Sequence, residues 1–588
     1  MIKSIKKLLP YFLIAITSCL IINNMFYGFS WTDEGLYLSN ISRIIHGDKL
    51  IIDDWTPTQF YIPLLYPLYL IFLKLNGNTD GLVLFFRIAT VTFQTLIAFF
   101  AYFVLSKKYN KAASFFASSL IVIFSRACLN GPSYYTIGFS TYTLGLLCLF
   151  SFFELSYSKI FLFISGISFA GSILCNPFLV VPYILISITC LVFKTIRKQL
   201  KNIALIWAGT ILLGIIYLIF ICGKNSISDI FSGLSYTYND PSYEHNIILT
   251  IKRLYKMPRL LIFPYVLEWL PMIFAYSIIK IKKIALTARK IRILHRLNVF
   301  CFFAIFFTYF DCGSAVMAFF HFTIFTALLN QDFKLKTFLN ENKKELLYFV
   351  FPGFILAYFF CFASDTGFGV CSIGMAVAAI GEIFIFLKTI DEINLHIETK
   401  IRKIEKFLPV FLLFLSTMLY RVNLTYRDIL LYPRSVFIPL LNNTVEKITS
   451  GPAKGLYTGI GRKNYYDNLL SLLEKINNEN NETGIFISGV ATWAYTAFPN
   501  VKCAVPTTWR LFCDDERLKL YYEESQNHEF PDYVLLLDES NPDNGGRYSS
   551  KNKEENVRDT WIMRQLVEKN YEKSSTPCGV LYKSPKIK

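Results

Sequence analysis

Long apolar runs separated by short polar connections make up most of the chain, and the pattern breaks twice. The runs lie at about 9–29, 81–105, 112–129, 137–153, 160–175, 178–193, 202–222, 259–279, 297–310, 313–330, 347–361, 367–388 and 407–420. They predict thirteen transmembrane helices, the longer ones matching the ~20 residues that cross the hydrocarbon of a bilayer. The first break, 31–80, follows the first run and has room for one or two short surface helices. Within it Leu36, Leu38, Ile41, Ile44 and Ile45 recur among polar residues, a spacing that predicts an amphipathic helix lying along the membrane interface. The second break runs from 421 to 588. A helix around 463–478, strands at "GIFISGV" and "DYVLLLD", a helix around 556–571 and a last strand at "GVLYKS" predict a small α/β domain of three or four strands there. The chain thus divides into a membrane domain, 1–420, and a soluble domain, 421–588.

The connections carry their positive charge on alternate turns. Lys3, Lys6 and Lys7 precede the first run; Lys107, Lys108 and Lys111 follow the second; Lys194, Arg197, Lys198 and Lys201 follow the sixth. Lys280 through Arg296, Lys334 through Lys344 and Lys400 through Lys406 continue the series after the eighth, tenth and twelfth. Basic residues favour the cytoplasmic side, so the N-terminus is expected inside, and the 31–80 loop and the terminal domain outside. The first run continues to Met25 and Phe26 without a small-residue cleavage site, unlike a secretory signal.

Composition agrees with this class. Of 588 residues, 54% are hydrophobic and 17% charged, too apolar over too many stretches for a soluble multidomain protein. The net charge of +17 sits in the connections, so no nucleic-acid partner is called for.

The first loop gathers carboxylates at both ends: Asp33 and Glu34 where it opens, Asp53 and Asp54 further on, followed by Trp55. A carboxylate beside an attacking hydroxyl or amine can take its proton as the new bond forms. Thr32 or Asp33 also suits a helix cap, and acids before Pro57 suit an ordinary turn. The six histidines are scattered, which argues against a histidine metal site, and none is expected.

"WTDEGLY", directly after the first transmembrane run, resembles the external acidic motif of the GT-C glycosyltransferases that use polyprenyl-phosphate sugars, in the branch of protein O-mannosyltransferases and the lipid A aminoarabinose transferase. The plan of the chain resembles theirs too: a large first outer loop, about a dozen helices and an external terminal domain. The resemblance implies a polytopic α-helical membrane protein of GT-C type, about thirteen transmembrane helices with a C-terminal extracytoplasmic α/β domain. It implies that Asp33 is the catalytic base and that the donor is a sugar on a polyprenyl phosphate, with no cofactor. Glu34, Asp53 and Asp54 are possible auxiliaries.

Transfer from such a donor needs positive charge around the departing phosphate. Arg43, His46, Lys49, Arg87 and Arg126 are the candidates; an Arg in an apolar segment such as Arg126 must pair or snorkel if it does not serve a site. For the acceptor or sugar the candidates are Trp55, Asn130, Tyr134, Tyr135, Asp311 and Asp365. Interfacial tyrosines and turn-forming aspartates are the ordinary alternative for most of them. The 223–258 connection adds Tyr236, Tyr238, Asp240, Tyr243 and His245 as recognition surface.

The expected function is inverting transfer of a sugar to an extracytoplasmic glycan, lipid or protein acceptor at a bacterial cytoplasmic membrane. A transporter or flippase of a lipid-linked or polar substrate and a polysaccharide polymerase or ligase remain as alternatives, with a membrane scaffold as a third. Cys503 and Cys513 could pair outside the cell, and Asn-X-Ser/Thr sequences begin at Asn40, Asn423 and Asn442.

Overall fold

The computed structural model describes residues 2–587 apart from 30, 32, 125–130, 193–199, 224, 239–250, 253–254, 256–257, 260–264, 283–286, 310–311, 330–333, 364–367, 397–402, 430–444, 480–481, 490, 509–514, 526–527 and 539–559. Among the described residues each of the thirteen apolar runs overlaps a helix. These helices, with three others, are α1 (Ile2–Asn24), α2 (Asp33–Ile45), α3 (Ile62–Asn76), α4 (Leu82–Leu105), α5 (Lys111–Ile123), α6 (Tyr134–Leu155), α7 (Ile160–Cys175), α8 (Val180–Val192), α9 (Leu200–Cys222) and α10 (Ile227–Tyr238). There follow α11 (Val266–Ile281), α12 (Ala288–Tyr309), α13 (Cys312–Leu328), α14 (Lys343–Phe362), α15 (Phe368–His396) and α16 (Lys403–Ile429). Among the described residues five helices are long and apolar enough to cross a membrane: α4, α6, α9, α14 and the central part of α15.

The remaining chain is a small sheet domain. A hairpin of β1 (Val445–Lys447) and β2 (Tyr457–Gly459) leads into α17 (Ile460–Glu479). The main sheet comprises β3 (Thr483–Ser488), β4 (Val501–Cys503), β5 (Tyr533–Leu537), β6 (Glu572–Thr576) and β7 (Gly579–Lys583), with α18 (Trp561–Glu568) before β6. Its order is β4-β3-β5-β7-β6; β3 runs parallel to β4 and β5, and β7 antiparallel to β5 and β6. Five strands stand where three or four were expected. β4 alternates over only three residues, too few to be read as a strand, and β6 is an exposed polar edge, "EKSST", with no apolar alternation.

The sheet domain sits on the end of the helical domain from which the first loop emerges. The amide of Gly28 donates to Tyr457 O and that of Tyr457 to Phe26 O, joining the end of α1 to β2. At the start of α4 the amide of Gly81 donates to Gly451 O and that of Val83 to Pro452 O, while Asp80 accepts from the amide of Gly451. At the far end of α16, Arg421 caps α5 by donating to the carbonyls of Val122, Ile123 and Phe124.

Two helices lie within the first loop, and α2 is not on the interface. Eleven of its residues are buried. Gly35, Ser39 and Ser42 form one stripe, and all three meet the sheet domain: a Cβ on Gly35 would stand 2.4 Å from Thr492 Oγ1 and 2.7 Å from the Trp493 amide, Ser39 bonds Thr508 at 2.8 Å, and Ser42 donates to Tyr495 O. The apolar residues between them pack elsewhere in the core, so an amphipathic pattern that suits an interface also suits a helix clamped between two domains. Helix α3 is the one with large apolar side chains outside, Leu70, Ile71 and Leu75.

Candidate functional site

Asp33 opens α2 and is partly exposed; a carboxylate in the first turn is favoured by the helix dipole. Thr32, the alternative cap, lies outside the described residues. The neighbouring Glu34 has a different fate. A hundred degrees round the helix, it is buried and held by Arg87 of α4 in a two-pronged pair, Nε to Oε1 at 2.6 Å and Nη2 to Oε2 at 2.6 Å. Arg87 also donates to the carbonyls of Met25 and Gly28, so this guanidinium ties the end of α1, the start of α2 and α4 together. A Cβ on Gly131 would lie 3.2 Å from Glu34 Oε1, which brings the approach to α6 over the same pair.

On the Asp33 side stand four tyrosines. Tyr37, one turn on, meets Tyr61 with ring centroids 6.1 Å apart and Tyr134 at 6.0 Å; Tyr134 lies 6.4 Å from Tyr61 and 4.0 Å from Tyr135. Tyr37 stands one turn from Asp33 on the same side of α2, which carries its contact with Tyr134 toward the start of the helix. Tyr134 and Tyr135 open α6, which Ser133 and Thr136 cap reciprocally. From the other side the sheet domain reaches the motif: Trp31 O accepts from Thr492, and the Trp31 ring packs on Tyr465 at 5.6 Å. The Arg462 guanidinium of α17 sits 5.0 Å over the Trp31 ring, two residues from Asp33.

The second acid pair is elsewhere. Arg43 lies ten residues beyond Asp33, about 15 Å along the helix, and is fully buried. Its Nε holds Asp48 at 2.6 Å, its Nη2 donates to Asp53 O, and Nη1 lies 3.8 Å from Asp54. Asp53 accepts from the Lys49 amide at 2.6 Å and pairs with His528 of the sheet domain at 3.0 Å. Burial works to raise the Asp53 carboxyl, but the bonds from His528 and Lys49 and the charges of His528 and Arg43 hold it below the usual value. Asp48 goes the other way, raised by burial against the pull of Arg43. His46 is lowered to about 4 by burial, helped by the charge of Lys502.

Asp54 caps the turn by accepting from the Thr56 amide. Trp55 is buried, stacked on Tyr236 at 4.7 Å, with Arg517 5.9 Å from its ring and donating to its carbonyl. Arg43, Asp48, Asp53, Asp54 and Trp55 thus form a joint between the loop, α10 and the sheet domain, remote from Asp33. The side chain of Lys49 is exposed beside it.

The structure therefore brings together Asp33, Glu34, Arg87, Tyr134 and Tyr135 and gathers Arg43, Asp53, Asp54 and Trp55 separately. Arg126, Asn130, Asp311 and Asp365, like Asp240, Tyr243 and His245, lie outside the described residues. Tyr61, Trp31 and Arg462 escaped the sequence reading. Arg462 had no local signal; Trp31 stood in the motif itself. Cys503 is a free, buried thiol whose Sγ lies on Val505 O, Cys513 is outside the described residues, and Asn40 is buried. Among the described residues no group of three or more His, Cys, Asp or Glu is placed to hold a metal ion.

No family model matches this chain, and no curated protein matches it. Among solved structures, a crystal structure of the Archaeoglobus fulgidus oligosaccharyltransferase in complex with Zn and sulfate aligns with a TM-score of 0.49 at 13% sequence identity, over 98% of this chain and 73% of that one. The apo form of the same archaeal protein aligns with a TM-score of 0.43 at 14% identity, over 98% of this chain and 74% of that one.

Proposed function

We propose that this chain is a membrane glycosyltransferase of GT-C type that moves a sugar from a polyprenyl-phosphate donor to an acceptor outside the cytoplasm, with inversion at the transferred carbon. The observation that supports it best is the division of labour in the "WTDEGLY" motif. Glu34 is neutralised in a buried pair with Arg87, whereas the adjacent Asp33 is partly exposed at the start of α2, one turn from the Tyr37 that meets Tyr134 of α6. We assign the structural role to Glu34 and the chemistry to Asp33.

In this reading Asp33 Oδ takes the proton from the acceptor hydroxyl or amine as it attacks the anomeric carbon, and the polyprenyl phosphate leaves. We assign the departing phosphate to Arg462, whose guanidinium lies over the Trp31 ring of the motif, together with Arg126. Tyr134 and Tyr135 offer ring faces and hydroxyls to the sugar. The acceptor is a cell-envelope glycan, lipid or protein, the site faces outward, and no metal or cofactor takes part. Purified protein given a panel of polyprenyl-phosphate sugars and a cell-envelope extract should release free polyprenyl phosphate without any nucleotide sugar; transfer directly from a nucleotide sugar would exclude this reading.

One observation favours transport instead. Glu382, midway along α15, is buried, and among the described residues neither of its carboxyl oxygens has a hydrogen-bond partner; an ionisable group in that setting often marks a transport path. Substrate movement across vesicles that depends on Glu382 and not on Asp33 would put that reading first.

A further inference from the structure

α10 carries an apolar stripe that the described residues leave largely exposed at Ile227 and Phe231. Ile227, Phe231, Leu234 and Tyr238 recur at i, i+4, i+7 and i+11, which places them on one side of the helix. Ile227 is 68% exposed, Phe231 70% and Tyr238 44%. A second side is bound to protein: a Cβ on Gly233 would lie 2.4 Å from Ile51 O, Thr237 is buried, and Tyr236 stacks on Trp55. The third side, Ser228, Ser232 and Ser235, is exposed and polar. Such a three-way division suits a helix lying flat in a bilayer surface, with lipid, protein and water each meeting one side.

Continuity with a lipid-facing surface identifies the occupant. α10 begins five residues after α9 ends, and only 11% of the most apolar stretch of α9 is buried inside the protein. Ile215, Ile216, Leu218 and Ile219 face outward just before α9 ends. Helix α3 borders the same place. Tyr66 meets Phe220 of α9 at 5.6 Å, and Phe60, just before α3, stacks on Tyr238 at 6.5 Å. α3 does not cross: both of its ends lie on the sheet-domain side, Tyr61 bonding Pro132 O and Thr79 bonding Ala497 O. Its own outer residues include Ile71 and Leu75, the latter 80% exposed.

We propose that α10 and α3 form a collar seated in the phospholipid leaflet on the sheet-domain side of the membrane, with the Ile227–Phe231–Tyr238 stripe buried among acyl chains. The collar fixes the depth of the first loop, because α10 grips Ile51 and Trp55 directly. This holds whatever reaction the chain performs.

The test places the photoreactive residue p-benzoylphenylalanine singly at positions 227, 231 and 232 of the full chain, reconstituted in nanodiscs of phosphatidylethanolamine and phosphatidylglycerol. Irradiation should give phospholipid adducts at 227 and 231 and none at 232. A covalent dimer would show that a second copy covers the stripe, and a link to 239–250 that the chain covers itself. Absence of any adduct at 227 and 231 would leave the stripe in water. Each of these three results overturns the proposal, and the two stripe positions guard against one substituted protein failing to fold.

Discussion

Adjacent acids in one motif have opposite surroundings, and the difference can be measured. Removing Arg87 alone, as Arg87→Leu, strands the Glu34 carboxylate in a buried site, and breaking a buried pair in this way costs about 3–5 kcal/mol. The purified variant should aggregate at a clearly lower temperature in detergent, whereas Glu34→Gln with Arg87→Gln should lose less; equal stability of Arg87→Leu and the native chain would show that the pair bears no load. His46 gives a prediction in pH. Its folded value of about 4 lies below the ordinary 6.5, so the opened loop binds a proton that the closed loop refuses. The stabilisation from a neutral His46 is complete above pH 6.5 and is lost as the pH falls toward 4; the lowered Asp53 acts in the same direction at still lower pH. Amide exchange over 44–50 should therefore quicken between pH 6.5 and 4 beyond its intrinsic change, and less so in His46→Gln. The start of a helix at Asp33 was legible from its place after the first run. The pairing of Glu34 with Arg87 was not, although two ionisable residues bound for apolar surroundings must find partners somewhere; Arg43 and Trp55 were grouped with Asp33 because sequence separation hides the ~15 Å that α2 puts between its ends.

At the scale of elements, the helix from Asp33 to Ile45 could be read from the sequence, but its surroundings could not. Its Gly35, Ser39 and Ser42 look like a solvated stripe until the segment 491–508 of the sheet domain is laid against them. Gly35→Ala tests that contact. The added methyl would meet Thr492 Oγ1 and the Trp493 backbone well inside normal contact distance, so α2 and the domain must part. We expect faster proteolysis of the sheet domain in that variant, with the membrane helices intact; unchanged protease resistance would mean that the interface yields without cost. Strands β3, β5 and β7 announced themselves by apolar runs, while β4 and β6 are held by their neighbours rather than by their own pattern. Helix α3 was missed as a separate apolar element because its 15 residues fall short of a span and its Pro67 and Tyr residues blur the period.

For the whole molecule, the contacts show that the first loop and the sheet domain share one end of the helical domain; the alternating basic connections lead us to expect that end outside. Reporter fusions after residues 30, 110, 200, 285, 395 and 450 should read outside, inside, inside, inside, inside and outside. A cytoplasmic reading at both 30 and 450 would keep the fold and invert the proposed chemistry. The architecture places Asp33 where three parts meet: the first turn of α2, the tyrosines at the head of α6 and the Trp31–Arg462 contact with the sheet domain. The central claim is that this carboxylate takes the acceptor's proton. Asp33→Asn keeps the size of the side chain and its ability to cap the helix but removes the base. With a polyprenyl-phosphate sugar that the native protein uses, turnover by Asp33→Asn should fall by roughly 10²-fold or more while donor binding and thermal stability persist; near-native turnover by a well-folded Asp33→Asn protein would contradict the account.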